Sequence, residues 1–152
     1  MKQVGLAKTQ GSLKPRIYIA SKFFSRKRLM PVRQQLESLG FIVLSSWMLE
    51  DPDESANADS LGDDLEHSQY MAERDHREVD DCHVFIIDTS DESNTGGRDV
   101  ELGWAQKAGK ICYRVGPIRN VFHSLVPAHK TWIDLINHLR NVYGITGGEH
   151  GE

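Results

Sequence analysis

One feature limits this chain more than any other: short runs of β-branched and aromatic residues alternate with longer segments whose apolar residues recur at helical spacing. The runs are "RIYIAS" (16–21), "FIVLSS" (41–46), "CHVFIIDT" (82–89) and "KICYRVG" (110–116). Each has the length and composition of a strand, and "CHVFIIDT" is the most apolar of them. Between the first two, Ser25 is placed to cap a helix carrying Leu29, Val32, Leu36 and Leu39, which Gly40 ends. A second helix is predicted over 63–80 and a third after Gly96. A last one over 131–143 has Trp132, Leu135, Ile136 and Leu139 on one face. Strand–helix alternation of this kind predicts an α/β fold: an open, mostly parallel sheet of about four to five strands with helices on both faces, Rossmann-like or flavodoxin-like.

The 152 residues read as one domain spanning 16–143, with a flexible arm at 1–15 and a flexible tail at 144–152. The segment "WMLEDPDESANADSLGDD" (47–64) is acidic and turn-rich, and reads as a long loop or lid. A formal net charge of −4 argues against a general nucleic-acid binder, which is usually basic. No apolar window reaches the length of a membrane span and no apolar leader core opens the chain, so a cytoplasmic protein without a membrane partner is expected. Cys82 and Cys112 both lie in apolar runs and read as buried thiols in a reducing compartment. His76, His83, His123, His129 and His138 show no metal-ligand spacing with them, so no metal is expected. No GxGxxG follows the first strand and no GxxxxGK[ST] occurs, so dinucleotide and Walker-type readings lack their motifs.

In open parallel sheets, ligands bind beyond the carboxyl ends of the strands. Those ends fall near Tyr18 to Ser21, at Ser46 and Trp47, at Asp88 and at Gly116, and Glu101 follows on the same edge. A helix starting near Gly97 would present unpaired amides that stabilise negative charge, so Glu101 is expected to be ionised. An ionised carboxylate there suits attack on a sugar carbon; equally, helices simply favour acids in their first turn. Asp88 ends an apolar strand, as a functional carboxylate or as the opening of an Asx turn. Asp75 would be a second carboxyl group, raised in pKa by its neighbour and able to protonate a leaving base, unless "ERDHREVDD" is a solvated face. Arg98 and "SRKR" (25–28) could hold a phosphate or be solvated. Trp47 could stack on a base or cap the core.

"RIYIAS", "TGGRDVELGWAQKAGK" and "VGPIRNVFHSLVP" together resemble the nucleoside 2-deoxyribosyltransferase-like family, in particular its short bacterial and phage members. Their corresponding motifs run "IYLAS", then "GGR-x-VE-x-G-x-A-x-x-x-GK", then "VG-x-x-x-NVFHHL". The resemblance spans 16–139. It implies N-glycosidic chemistry on a nucleoside, without a cofactor, by transfer or hydrolysis. Glu101 then matches the nucleophile that forms a glycosyl-enzyme. Asp75 matches the carboxylate that protonates the base, with Asp80 or Asp81 as alternatives, and Tyr18 matches a tyrosine orienting the nucleophile. Ser21, Trp47, Asp88, Gly96, Gly97, Arg98 and Asn120 are the implied substrate contacts, the glycine pair serving as clearance for the sugar. Where the family places an acidic residue shortly before the glutamate, this chain has "SNTG" (93–96). Two further readings are a nucleoside 5′-monophosphate hydrolase and a non-catalytic nucleotide-sensing domain. The resemblance also implies a homodimer or larger assembly.

Overall fold

The computed structural model describes residues 14–50 and 65–145. Most of the arm, the acidic segment from 51 to 64, and the tail beyond 145 lie outside the described residues. The elements run β1 (Arg16–Ala20), α1 (Arg26–Ser38), β2 (Ile42–Val43), α2 (Leu65–Asp81), β3 (Val84–Asp88), α3 (Gly97–Lys107), β4 (Ile111–Val115), β5 (Ala128–His129) and α4 (Trp132–Tyr143). The sheet has five strands in the order β2-β1-β3-β4-β5, and every pairing is parallel. This is the doubly wound order, which reverses direction between β1 and β3.

The central place of β1 and β3 has its cause in their sequence. "IYIA" and "VFII" carry no charged residue, and all eight side chains are fully buried. A parallel strand covered on both faces needs this continuous apolar run rather than alternation. Tyr18 pairs in register with Phe85, and their rings stack with centroids 5.8 Å apart. α2 and α3 pack side by side over that face. Right-handed crossovers place α1 on the opposite face, because β1 to β2 runs the other way across the sheet. α4 joins it there, where Tyr143 meets Phe41 edge-on at 6.0 Å. No helix of the described residues is long and apolar enough to cross a membrane.

Three local departures from the sequence reading have identifiable causes. The second strand is only two residues long, because Arg33 of α1 donates to the carbonyls of Val43 and Ser45 at 2.9 and 2.8 Å and takes the acceptors a longer ladder would use. Beyond it the chain enters a 3-10 turn, Ser46–Leu49, that carries Trp47 and Met48 into the core. Ser25 stands at the N-cap position of α1 but caps nothing; its hydroxyl donates to Asp91 at 2.6 Å. β5 is an additional strand, and its two residues are too few to show a period in the sequence.

Asp88 shows how the carboxyl edge is held. It is fully buried, pairs with Arg28 of α1 at 2.8 Å and accepts from Trp132 Nε1 of α4 at 2.6 Å and from the Ser90 amide at 3.0 Å. The carboxylate therefore ties two helices to the central strand. Removing it leaves the half-buried indole N–H, the Ser90 amide and the Arg28 cation without their acceptor, so Asp88→Ala is expected to cost about 3 kcal/mol. Asp88→Asn, which keeps an acceptor, is expected to lose clearly less. Urea unfolding of the two variants checks the order.

Candidate active site

A cavity of about 340 Å³ opens at the carboxyl edge where β1 and β3 diverge, within the range of small-molecule sites. Its walls come from the ends of β1 and β2, from α2, and from the first turns of α3. Tyr18 rises from β1 beneath it and donates from Oη to Glu101 Oε2 at 2.9 Å. Asp75, from the middle of α2, shares the cavity with Glu101. Phe23, Trp47, Met71 and Trp104 supply apolar surface. Trp47 is held in place because its Nε1 donates to the Ile19 carbonyl at 2.8 Å. It therefore closes the core, and it also lines the cavity.

The electrostatics overturn one expectation. α3 does begin at Gly97, but Glu101 is its fifth residue and lies beyond the turn where the helix terminus acts. Asp99 holds the first-turn position instead. Burial pushes the Glu101 carboxyl well above the usual carboxylate range, and the negative charge of Asp75 adds to this, while the Tyr18 hydroxyl opposes it. Burial raises Asp75 to about 6, with Arg74 pulling down and Glu78 and Glu50 pushing up. Both carboxyl groups are thus harder to ionise than free carboxylates, and the charge of Asp75 further disfavours ionisation of Glu101. Tyr18, itself raised by burial and then by Glu101, stays a hydrogen-bond donor throughout.

The glycine pair divides into two roles. Gly96 caps α3 with φ of 82°, a conformation that residues with a Cβ rarely adopt. Gly97 has ordinary backbone and lines the cavity, with nothing within 4 Å of where a Cβ would sit. Of the two, Gly97 lines the cavity and Gly96 does not. Ser21 also lines the cavity, its hydroxyl donating to the Asp88 carbonyl at 3.1 Å.

The remaining candidates are placed differently. Asp88 is spent on Arg28 and Trp132 and does not line the cavity. Asn120 lies outside it too; its Oδ1 caps the 3-10 turn Val121–Leu125, and its Nδ2 donates to Asp99 at 3.2 Å. Fully buried His123 completes that knot, with Nε2 2.7 Å from Asp99 and Nδ1 accepting from the Arg119 amide at 3.0 Å. Arg98 reaches the cavity wall, yet its Nη1 donates to the carbonyls of Asp88 and Asp91 at 3.2 and 2.8 Å. In "SRKR", Ser25 and Arg28 are bound to Asp91 and Arg26 lies 4.6 Å over the Phe23 ring. Asp80 and Asp81 sit at the far end of α2, where their carbonyls accept from Lys110 and Arg16. Among the described residues no group of His, Cys, Asp and Glu is arranged to hold a metal ion.

Arg74, Glu50 and Glu78 are not singled out by the sequence, in which "ERDHREVDD" has the composition of a solvated face. A signal is nonetheless present: Ser68, Met71, Ala72 and Asp75 recur at the spacing of one helical face, and all four line the cavity. Arg74 donates to Glu50 at 3.1 Å and to Asp75 at 2.9 and 3.1 Å. Glu78 accepts from the amide of Ser46 at 3.0 Å and from its hydroxyl. Together they tie α2 to the turn that carries Trp47.

No family model matches the sequence, and no curated protein matches it significantly. Solved structures do match in shape. The chain resembles a 2-deoxyribosyltransferase from the psychrotolerant bacterium Bacillus psychrosaccharolyticus with a TM-score of 0.64 and 20% identity, covering 86% of this chain and 97% of that one. It also resembles the CMP N-glycosidase BcmB of Clostridium botulinum, with a TM-score of 0.52 and 18% identity over 83% and 98% of the two chains. At such identities the likeness establishes the α/β fold.

Proposed function

We propose that this chain cleaves or exchanges the N-glycosidic bond of a deoxynucleoside or nucleoside, with Glu101 as the nucleophile. The observation that carries the proposal is the Tyr18–Glu101 hydrogen bond at the cavity wall, facing a second carboxyl group whose pKa is raised. Likeness of fold to a 2-deoxyribosyltransferase and a CMP N-glycosidase supports it.

Glu101 attacks the anomeric carbon as the bond from that carbon to the base nitrogen breaks. The bonding pair leaves with the base, and the proton of Asp75 neutralises it. A basic atom on the base, facing Asp75, draws the proton of the pair there and leaves Glu101 ionised beneath Tyr18. Water or a second base then attacks the same carbon from the vacated side and gives its proton to Asp75. Glu101 departs as a carboxylate, and the pair is restored. Phe23, Trp47 and Met71 offer the flat apolar surface a base requires.

Both arginines lining the cavity are already engaged, Arg74 by two carboxylates and Arg98 by two carbonyls. Three carboxyl groups, Glu50, Asp75 and Glu101, share the same walls. That balance favours an uncharged nucleoside over its 5′-monophosphate. Chromatography of a nucleoside and nucleotide panel, with and without an acceptor base, tests the reading. Base release from deoxynucleosides faster than from the monophosphates is expected. Release from none of them would overturn the catalytic reading and leave a nucleotide-sensing domain. A cytoplasmic homo-oligomer belongs to the same proposal, and the exposed Val121, Phe122 and Leu125 are consistent with a surface that a second copy covers.

A further inference from the structure

Arg74 has a feature that pairing alone does not explain. Its Nε and Nη2 both donate to the same oxygen of Asp75, Oδ1, at 3.1 and 2.9 Å. A guanidinium meeting a carboxylate commonly bonds both oxygens. Here Nη1 is turned away to Glu50 Oε2 at 3.1 Å, and among the described residues Oδ2 of Asp75 has no hydrogen bond. The side chains of Arg74 and Glu50 are only 13% and 10% exposed, so this is an enclosed arrangement rather than a surface pair. Glu50 also lines the cavity and directly succeeds the turn carrying Trp47.

We propose that Arg74 is the positioning residue for the acid: by occupying Oδ1 with two N–H donors it leaves Oδ2 as the atom that carries the proton to the leaving base, with Glu50 bracing the guanidinium. The proposal rests on the glycosidic reading and adds to it the atom that acts and the group that selects it. A proton on Oδ1 would compete with two N–H donors for the same lone pairs, so the protonated form places it on Oδ2. When Oδ2–H gives its proton to the base nitrogen, the charge left on Asp75 is met at once by the Arg74 cation. No reorganisation is needed at that moment, which is how a fixed charge lowers a barrier.

The groups facing Asp75 come from four elements: Arg74 and Glu78 on its own helix, Glu50 after the Trp47 turn, Glu101 on α3 and Tyr18 on β1. Their signs make two substitutions diverge. Arg74→Gln removes the cation bonded to Asp75, so the carboxyl step near 6 moves up by about one pH unit or more. Glu50→Gln keeps an acceptor for Nη1 but removes a negative charge, so the same step moves down. Arg74→Lys keeps the charge without the fork; the step stays near its place while kcat falls and KM holds, since a point charge does not select an oxygen.

Carboxyl-carbon NMR of the full labelled chain, titrated with pH, reads the step without any substrate, and base release gives kcat. Opposite movement in the two glutamine variants, with kcat lost in Arg74→Lys, is the expected result. A step unmoved in Arg74→Gln, or moved in the same direction by both variants, overturns the role of Arg74. Should Arg74→Gln fail to fold, Glu50→Gln and Arg74→Lys decide the matter: an unmoved step in the first or an unchanged kcat in the second is fatal. Absence of base release by the wild-type chain would instead sink the glycosidic reading, and the titration separates the two failures.

Discussion

Glu101→Gln is expected to lower base release by at least about 10⁴-fold while the protein remains folded, a loss of roughly 5.5 kcal/mol of transition-state stabilisation. The amide has the size of the carboxyl group, and its oxygen still accepts from Tyr18. It lacks the negative charge that must form a bond to the anomeric carbon. The same change relieves the buried repulsion with Asp75, so the melting temperature is expected not to fall. A loss of activity with unchanged or raised stability distinguishes a nucleophile from a structural residue. Mass spectrometry supplies the direct check. A slow 2-fluoro nucleoside should leave a sugar adduct on Glu101 of the wild-type chain and none on the variant. Turnover of Glu101→Gln near the wild-type rate would end the assignment.

The second large effect is on pH dependence. The working form of the carboxyl pair carries one proton, so activity should rise as the pair loses its first proton and fall again on the alkaline side as it loses its last. Asp75→Asn cannot donate and does not titrate. It is expected to lose about 10²- to 10³-fold in kcat and to abolish the alkaline limb. The loss should shrink for nucleosides whose base is a good leaving group, because such a base needs no proton. An alkaline limb that survives in Asp75→Asn would remove Asp75 from this role. Tyr18→Phe provides a useful contrast. It removes the hydrogen bond that favours an ionised Glu101, so the rising limb should move to higher pH.

Much of the fold was legible because central strands and amphipathic helices announce themselves locally. "IYIA" and "VFII" have to be covered on both faces, and alternating them with helices leaves few arrangements other than a parallel doubly wound sheet. Boundaries set by long-range contacts were not legible. β2 stops where Arg33, ten residues earlier, takes the Val43 carbonyl. β5 exists only because β4 offers it a ladder.

The candidate site divides along the same line. The residue types in "GGRDVE" and their place after a strand on the ligand-binding edge made Glu101 a candidate beside the plain alternative of a first-turn helix acid, and the family resemblance made it the expected nucleophile. The sequence also located Gly96 and Gly97, although φ at Gly96 was needed to separate a conformational demand from clearance. By itself, then, the chain determined its layers and the sheet edge on which a cavity opens, because periodicity and strand order are local properties, while Glu101 remained a candidate.

Only the tertiary structure decided what state that carboxylate is in and what surrounds it. A helix start suggested an ionised Glu101. Burial, with Asp75 brought in from a different helix, raises its pKa instead. Asp88 and Asn120 looked like substrate contacts until Arg28, Trp132 and Asp99 were found holding them. Arg74 and Glu50 looked like ordinary surface charge until the fold enclosed them together. Charge state and commitment depend on distance in space and on loss of water, and neither quantity is written in the order of the residues.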